Sequence, residues 1–398
     1  MRILFLHEVN YETKPIFEMH EFPEHLAARG HEVGFVQFPE GLSTKDLKTT
    51  PFRKTISGRV LQKTSLHLYT PRTYSSGLFG RLIVALSFKR TFNKVLLDFK
   101  PDVVVSFAVP TSGWQALQES QRFGVPFMFR ALDVSHKIRR SIFSPLILLA
   151  EKYIYRNADW VSCNNKAMTS YVLDNGAHSS ATSVVFPPLD SRHFQTGGES
   201  RTGLRSDLNL PEGSQVVLYM GSFFYFSGLP EAIQEFSLKA ASNQYFLIIG
   251  DGEQRAELEE QVMKLGLSER VLFTGMVDFE HLPAYLAVGD VAINTLSPSA
   301  VSDFALPNKV LQYMAAGLPV VSTRLKGLEV SLGTDSAGLV FEDNPASTMA
   351  TALEIMNGPR ELHDRGAENQ AWISKLFEPG KSVDAFEEQL VDLVEAAE

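Results

Sequence analysis

Short apolar runs that do not alternate recur along this chain, and they constrain its fold more than any other feature. RILFLH, HEVGFVQF, PDVVVSFA, PFMFRAL, WVSCN and SVVFPP follow one another through the first half, separated by helical stretches such as FEMHEFPEHLAARG. A strand covered on one face alternates apolar and polar residues, whereas a strand covered on both faces reads as one unbroken Val/Ile/Phe segment. The runs therefore predict a doubly wound parallel sheet with helices on both faces, up to about residue 190.

Residues Gln195 to Ser214 are polar and glycine-rich, which suits a linker or boundary loop. The pattern then restarts. QVVLYMG, YFLIIGDG, RVLFTG, DVAINTL, LPVVST and AGLVF read as strands, and LPEAIQEFSLKAA, EQRAELEEQVMKLG and HLPAYLAVG as helices. Two α/β domains are expected, at 1–190 and 191–375, followed by an amphipathic helix within 376–398 that packs back toward the first domain. Ligands of open α/β sheets bind beyond the strand C-termini, so a cleft faced by both domains is the expected site.

One cysteine, Cys163, excludes an internal disulfide and fits a reducing cytoplasm. The apolar run after Arg2 has four residues, a first strand rather than a signal peptide, and no run approaches the length of a membrane span. The net charge of −9 hides an asymmetry, because Lys45 to Lys100 holds 12 Lys and Arg against two acids, Asp46 and Asp98. Phe79, Leu82, Ile83, Phe88 and Phe92 interleave with those charges. Either this is a solvated basic face or it attracts anionic lipid or a phosphorylated substrate. No nucleic-acid-binding motif is present.

Several strands leave through glycine. Gly221-Ser222 ends one strand before a helix that starts near Leu229, and Gly250 and Gly252 precede another. Free amides at such turns suit a diphosphate, although a glycine turn is also an ordinary strand–helix connection. No dinucleotide fingerprint, Walker A loop or paired Cys/His spacing occurs, which disfavours a nicotinamide-dependent oxidoreductase. Asp251 and Glu253 suggest helix capping rather than a metal site.

The segment ALPNKVLQYMAAGLPVV (Ala305 to Val321) is the most informative. Residues three apart share a helix face, so Lys309 and Gln312 point the same way while Val310, Leu311 and Met314 form the buried side. Lys309 falls in the first turn, where the helix dipole disfavours a cation unless it meets an anion. Gln312 both donates and accepts, which matches the paired hydroxyls of a ribose. The alternative is that both are ordinary solvent-facing residues.

With these motifs, together with RGHEV, IIGDG and VLFTG, the chain resembles the GT-B glycosyltransferases, two Rossmann-like domains facing a central cleft. PNK…YMAAG.PVV is similar to the large family that builds bacterial surface polysaccharides. Many of its members have Glu where this chain has Gln312, an acid where it has Phe304, and Arg and Lys in the loop that here reads GSFFYFSG. A smaller group, the membrane-associated glucuronosyltransferase of xanthan synthesis and its relatives, resembles the chain in its K-x-x-Q-Y helix and its R-A-x-D tip, here Arg130, Ala131 and Asp133.

The resemblance implies a metal-independent enzyme without a cofactor. It would move a sugar, glucuronic acid among the options, from a nucleoside-diphosphate donor such as a UDP-sugar to a lipid-linked or surface-glycan acceptor, at the inner face of the cytoplasmic membrane. It implies Asp133 as general base, Lys309 at the diphosphate and Gln312 at the ribose. The expected donor site comprises Gly221, Ser222, Phe223, Gly250, Gly275, Met276, Leu296, Pro307, Asn308, Lys309 and Gln312. The expected acceptor site comprises His7, Glu8 and Asn10. A carboxylate past a strand tip can take a hydroxyl proton, as can His136; Asp133 is otherwise a helix cap for VSHKIRR. A non-catalytic sugar-nucleotide-binding or scaffold homologue and a sugar-nucleotide epimerase are the competing functions.

Overall fold

The computed structural model describes residues 1–39, 44–73, 77–109, 111–138, 143–195, 198–299, 302–333, 338–377 and 380–397. The chain divides into two compact units, Met1–Pro188 with Gly380–Glu398, and Leu189–Pro379.

In the first unit, eight strands among the described residues form one sheet. They are β1 (Arg2–Leu6), β2 (Glu32–Val36), β3 (Arg53–Ser57), β4 (Ser65–Tyr69), β5 (Val103–Ser106), β6 (Phe127–Ala131), β7 (Trp160–Cys163) and β8 (Thr182–Val184), in the order β3-β4-β2-β1-β5-β6-β7-β8. The order reverses direction at β1, which pairs in parallel with β2 on one side and β5 on the other. β1, β5 and β6 are buried along almost their whole length, the state that their unbroken apolar sequences require.

The sequence patterns did not reveal β3 and β4. These strands, RKTIS and SLHLY, form an antiparallel ribbon at the sheet edge, and β3 alternates exposed and half-buried residues. Its charged side chains supply the polarity that keeps an edge strand from pairing with another chain. Part of the basic region at 45–100 is thus this edge.

The last helix, Lys381–Glu395, belongs to the first unit. Phe386 stacks on Phe22 with ring centroids 4.1 Å apart. Arg29 is paired with both Asp384 and Glu387, and His31 Nε2 lies 2.6 Å from Glu387.

The second unit is a six-stranded parallel sheet: β9 (Gln215–Met220), β10 (Gln244–Ile249), β11 (Val271–Gly275), β12 (Val291–Asn294), β13 (Val320–Thr323) and β14 (Leu339–Glu342), in the order β11-β10-β9-β12-β13-β14. Its core joins Val217, Tyr219, Phe223, Phe246, Ile248 and Ile293 to the helix faces above and below the sheet. The stretch read as a linker contains a helix, Gly198–Asp207. Arg201 and Arg205 of that helix donate to the carbonyls of Ala287, Val288 and Gly289, which are the open C-terminal groups of the helix Leu282–Val288. Its polar sequence concealed a helix held by its arginines rather than by an apolar stripe.

Candidate functional site

In the second unit the tips of β9, β10 and β11 meet through glycines. Gly221 and Gly250 have φ of 144° and 129°, values that side chains rarely adopt. A Cβ on Gly250 would collide with the Gly221 carbonyl, and the Gly250 amide donates to Gly275 at 2.9 Å. Glycine at these positions lets three backbones approach one another and leaves a flat, polar floor.

The helix Asn308–Ala315 faces that floor. Its apolar side, Val310, Leu311 and Met314, is buried, and Tyr313 reaches across to β9, where its hydroxyl accepts from the Met220 amide at 2.6 Å. Lys309 lies half-buried beside Gly221, with Nζ 3.4 Å from the point where a Gly221 Cβ would stand. The ammonium also rests on the face of Tyr219, 4.1 Å from the ring centroid. Among the described residues no carboxylate pairs with it, and burial lowers its pKa from 10.5 to about 7.

Gln312 is half-buried on the same helix face, and its side-chain amide has no partner among the described residues. Ser222, just past Gly221, is half-buried, and its backbone N–H has no acceptor among the described residues. Gly221, Ser222, Gly250, Gly275 and Lys309 are thus one locality.

Other expected donor residues have different surroundings. The Phe223 ring is fully buried in the core, and its amide donates to the Asp251 carbonyl. That is a correction at the level of the side chain, because the ring fills the space under the loop and offers no surface to a ligand. Pro307 caps the Lys309 helix and Asn308 opens it. The Leu296 carbonyl accepts from Thr323 Oγ1 at 2.6 Å, and Met276 is 58% exposed beside Gly275. Asp251 turns its carboxylate to the Gly252 amide and to Arg255, and no group of three or more His, Cys, Asp or Glu suited to a metal occurs among the described residues.

The β1 tip of the first unit needs a larger correction. Glu8 is buried; its Oε1 accepts from the Thr111 amide, the Ser112 amide and the Ser112 hydroxyl at 2.7, 2.9 and 3.2 Å, which satisfies the open end of the helix Gly113–Phe123. Asn10 folds its own loop, with Oδ1 accepting from the Glu12 and Thr13 amides. His7 stacks on Phe107 at 5.5 Å and accepts from the Glu8 amide; burial, then Lys14, His20 and Arg81, depress its pKa to about 3. Glu8 is thus tied to the amides at 111 and 112 and, through Oε2, to Arg81 at 3.7 Å, while the Asn10 carbonyl oxygen is used by its own loop.

Asp133 lies two residues past the end of β6. The residue is exposed, and its carboxylate has no partner among the described residues. Surrounding protein raises its pKa from 3.8 to about 6, and the Glu18 carboxylate adds to the rise. Water reaches the residue and screens this effect, so no stability is attached to it. Arg130, three residues earlier, is fully buried and acts as a staple. It donates to Glu18 (2.5 Å from Nη2), the Ser162 hydroxyl and the carbonyls of Cys163 and Val185, and its guanidinium lies over the rings of Phe22 and Phe386. His136 is bound to Glu151, with Nδ1 2.6 Å from Oε2. Sequence reasoning missed Tyr219, Glu18 and Glu151. Each is remote in sequence from the group it acts on, and none lies in a spacing pattern.

Two family models match the chain, one to each unit. Residues 19–188 match the glycosyl transferase 4-like domain and residues 214–358 match glycosyl transferases group 1. Among curated proteins, the 2-deoxystreptamine glucosyltransferase of Streptomyces kanamyceticus is 26% identical over 238 residues, 58% of this chain and 60% of that protein. The lipopolysaccharide core biosynthesis glycosyltransferase LpsE of Rhizobium meliloti is 29% identical over 214 residues, 54% of this chain and 58% of that protein. The chain thus spans less than two thirds of the length of either relative. Among solved structures, sucrose-phosphate synthase from Thermosynechococcus elongatus superposes over the whole of both chains with a TM-score of 0.80 at 19% identity. Anabaena HepE in complex with UDP-glucose does so with 0.75 at 18%. At these identities the superpositions show the fold, two parallel-sheet α/β domains of GT-B type. The xanthan glucuronosyltransferase group is not among these matches, and each unit is similar to a glycosyltransferase domain, the first to the 4-like type and the second to group 1.

Proposed function

We propose that this chain transfers a hexosyl group from a nucleoside-diphosphate sugar to a glycan acceptor. One observation carries the reading: Lys309 is a half-buried cation with no carboxylate among the described residues, set where three glycine strand tips expose backbone. A cation held there without a counter-ion is satisfied by an anion from outside, and a diphosphate supplies one. Gln312, one helical turn on, then meets the ribose hydroxyls. UDP is the first nucleotide to test, because a chain of the same fold was solved with UDP-glucose.

In the transfer step the acceptor oxygen forms a bond to the anomeric carbon as the bond from that carbon to the diphosphate breaks. The electron pair leaves with the diphosphate, whose charge Lys309 meets, and the hydroxyl proton passes to Asp133. Its carboxyl, raised to about 6, lies close to the pH at which a general base works best. The step draws on no metal or cofactor. The acceptor is a lipid-linked or surface glycan in this reading, and the helix Gly77–Phe99 supports a peripheral position on the inner face of the membrane. Leu82 (55%), Ile83 and Leu86 (80%) are exposed there in the chain's basic region, whereas Phe88 and Phe92 are core; the Phe79 side chain lies outside the described residues. No helix among the described residues is long and apolar enough to cross a membrane.

The test is calorimetry with UDP-, GDP- and dTDP-sugars, followed by donor hydrolysis with water as acceptor. A nucleotide sugar that binds wild type and not Lys309→Ala supports the donor site. Binding without any turnover returns the non-catalytic homologue, and binding by neither protein defeats the proposal.

A further inference from the structure

Three residues past Asp133, on the short helix Ser135–Ile138, His136 is held in a way that fixes its chemistry. Its Nδ1 lies 2.6 Å from Glu151 Oε2, and Glu151 is fully buried on the helix Ser144–Asn157. Tyr171 closes the arrangement from a third helix, with its hydroxyl 3.3 Å from both the Glu151 oxygen and His136 Nδ1. The titratable groups in contact with the ring are Glu151 and Tyr171, and Tyr155 lies within electrostatic reach of Glu151, Tyr171, Cys163 and Asp133. The ring retains 13% exposure, and its Nε2 has no partner among the described residues.

With Nδ1 taken up by Glu151, Nε2 is the polar atom that the ring presents outward. It accepts where Nδ1–H donates to the Glu151 carboxylate, and it donates where Glu151 carries the proton or both ring nitrogens carry hydrogen. A hydroxyl both donates and accepts, so it can pair with Nε2 in every one of these forms.

We infer that His136 is an acceptor-positioning residue: its Nε2 hydrogen-bonds a hydroxyl of the glycan acceptor, and the buried Glu151 fixes the ring for that task. The inference rests on the glycosyl-transfer reading above and adds a group to its acceptor side. Asp133 takes the proton of the reacting hydroxyl, and His136 grips a second oxygen of the same acceptor. A purely structural histidine would use Nδ1 and leave Nε2 without work.

The experiment compares His136→Asn with His136→Gln and Glu151→Gln in the full chain. Asn reproduces the Nδ1 donor and lacks the outward nitrogen; Gln reaches outward and lacks the inward bond. Glu151→Gln loosens the ring and is expected to raise the acceptor KM while donor affinity holds. With a UDP-sugar donor and methyl and octyl glycosides as probe acceptors, His136→Asn is expected to keep its melting temperature, donor affinity and donor hydrolysis. Its acceptor KM rises about 10- to 100-fold, the scale of one lost hydrogen bond to a held ligand. His136→Gln recovers part of that loss. An unchanged acceptor KM in His136→Asn overturns the inference while leaving the donor reading in place. If no nucleotide sugar binds at all, the donor reading fails first. If donors bind and no glycoside accelerates turnover, the acceptor role of His136 is overturned together with the glycan-acceptor reading.

Discussion

Donor binding should weaken as pH rises, and Lys309 sets the slope. In the free protein its pKa is about 7, because the ammonium is buried beside Gly221 without a carboxylate. Only the ammonium form matches a diphosphate, so binding at higher pH must first take up a proton. If the bound complex restores the ordinary lysine pKa, the apparent Kd scales as 1 + 10^(pH − 7). That makes donor affinity about tenfold weaker at pH 8 than at pH 6, and about a hundredfold weaker at pH 9. The assay is calorimetry with a UDP-sugar, whose diphosphate keeps a constant charge over this range. At pH 8 the measured enthalpy should differ between buffers of different ionisation enthalpy by about one proton's worth. Lys309→Arg retains charge and should flatten the profile.

The same group acts on stability with a definite sign. A lysine whose folded pKa lies below its unfolded value binds fewer protons when folded, so its contribution to stability rises with pH between about 7 and about 10.5. Lys309→Met should therefore raise the melting temperature of the free protein at pH 6, by about 2 kcal/mol of stability. The full pKa displacement is worth about 5 kcal/mol, and the Tyr219 face and partial exposure offset much of it. A Kd independent of pH from 6 to 9, with no buffer dependence and no stabilisation by Lys309→Met, would refute the account of Lys309 as a waiting cation.

Asp133→Asn should lower kcat about 10²- to 10⁴-fold and leave donor Kd unchanged; if turnover survives in both this variant and Glu8→Gln, a route using the donor's own phosphate replaces the carboxylate base. Glu8→Gln is expected to act mainly on thermal stability, because Oε1 holds the Thr111 and Ser112 amides and Oε2 lies 3.7 Å from Arg81. Glu18→Gln leaves the Arg130 guanidinium without its ion partner and should cost about 3–5 kcal/mol, read from chemical denaturation. Gly250→Ala drives a methyl into the Gly221 carbonyl and should abolish UDP-sugar binding before it unfolds the chain, measured by calorimetry alongside circular dichroism. Sedimentation with anionic vesicles should fall as salt rises and weaken in Leu82→Asp/Leu86→Asp; equal binding to neutral vesicles would count against membrane docking.

The strands that the sequence made legible are those buried on both faces. VVVS and VAIN leave no choice, because unbroken apolar runs of that length fit few other settings. β3 was hidden for the opposite reason: it is an edge strand rich in charge, paired on one side only, with β4, so it lacks the unbroken apolar run of a strand covered on both faces. At the site, Lys309 and Gln312 were readable because helix spacing puts them on one face, a local rule. His7, Glu8 and Asn10 looked equally suitable at a strand tip. The Asn10 carbonyl oxygen is used by its own loop, and Glu8 is tied to the amides at 111 and 112, a long-range fact that no local pattern carries. Arg130 illustrates the same limit, since a motif identified it while only the fold shows that it is sealed inside.

The seam between Phe22, Arg130 and Phe386 also sets an order of assembly. A chain emerging from the ribosome completes residues 1–188 long before Lys381–Glu395 exists, and until then the Phe22 and Arg130 face has no cover. The unit that is translated second is therefore the first able to finish folding, and the first-translated unit waits, partly open, until that helix is made. Such an interval is when exposed apolar surface recruits chaperones or aggregates. Anything that delays or displaces the helix Lys381–Glu395 prolongs it. Yield in the cell should depend on those fifteen residues more steeply than the stability of the finished molecule does.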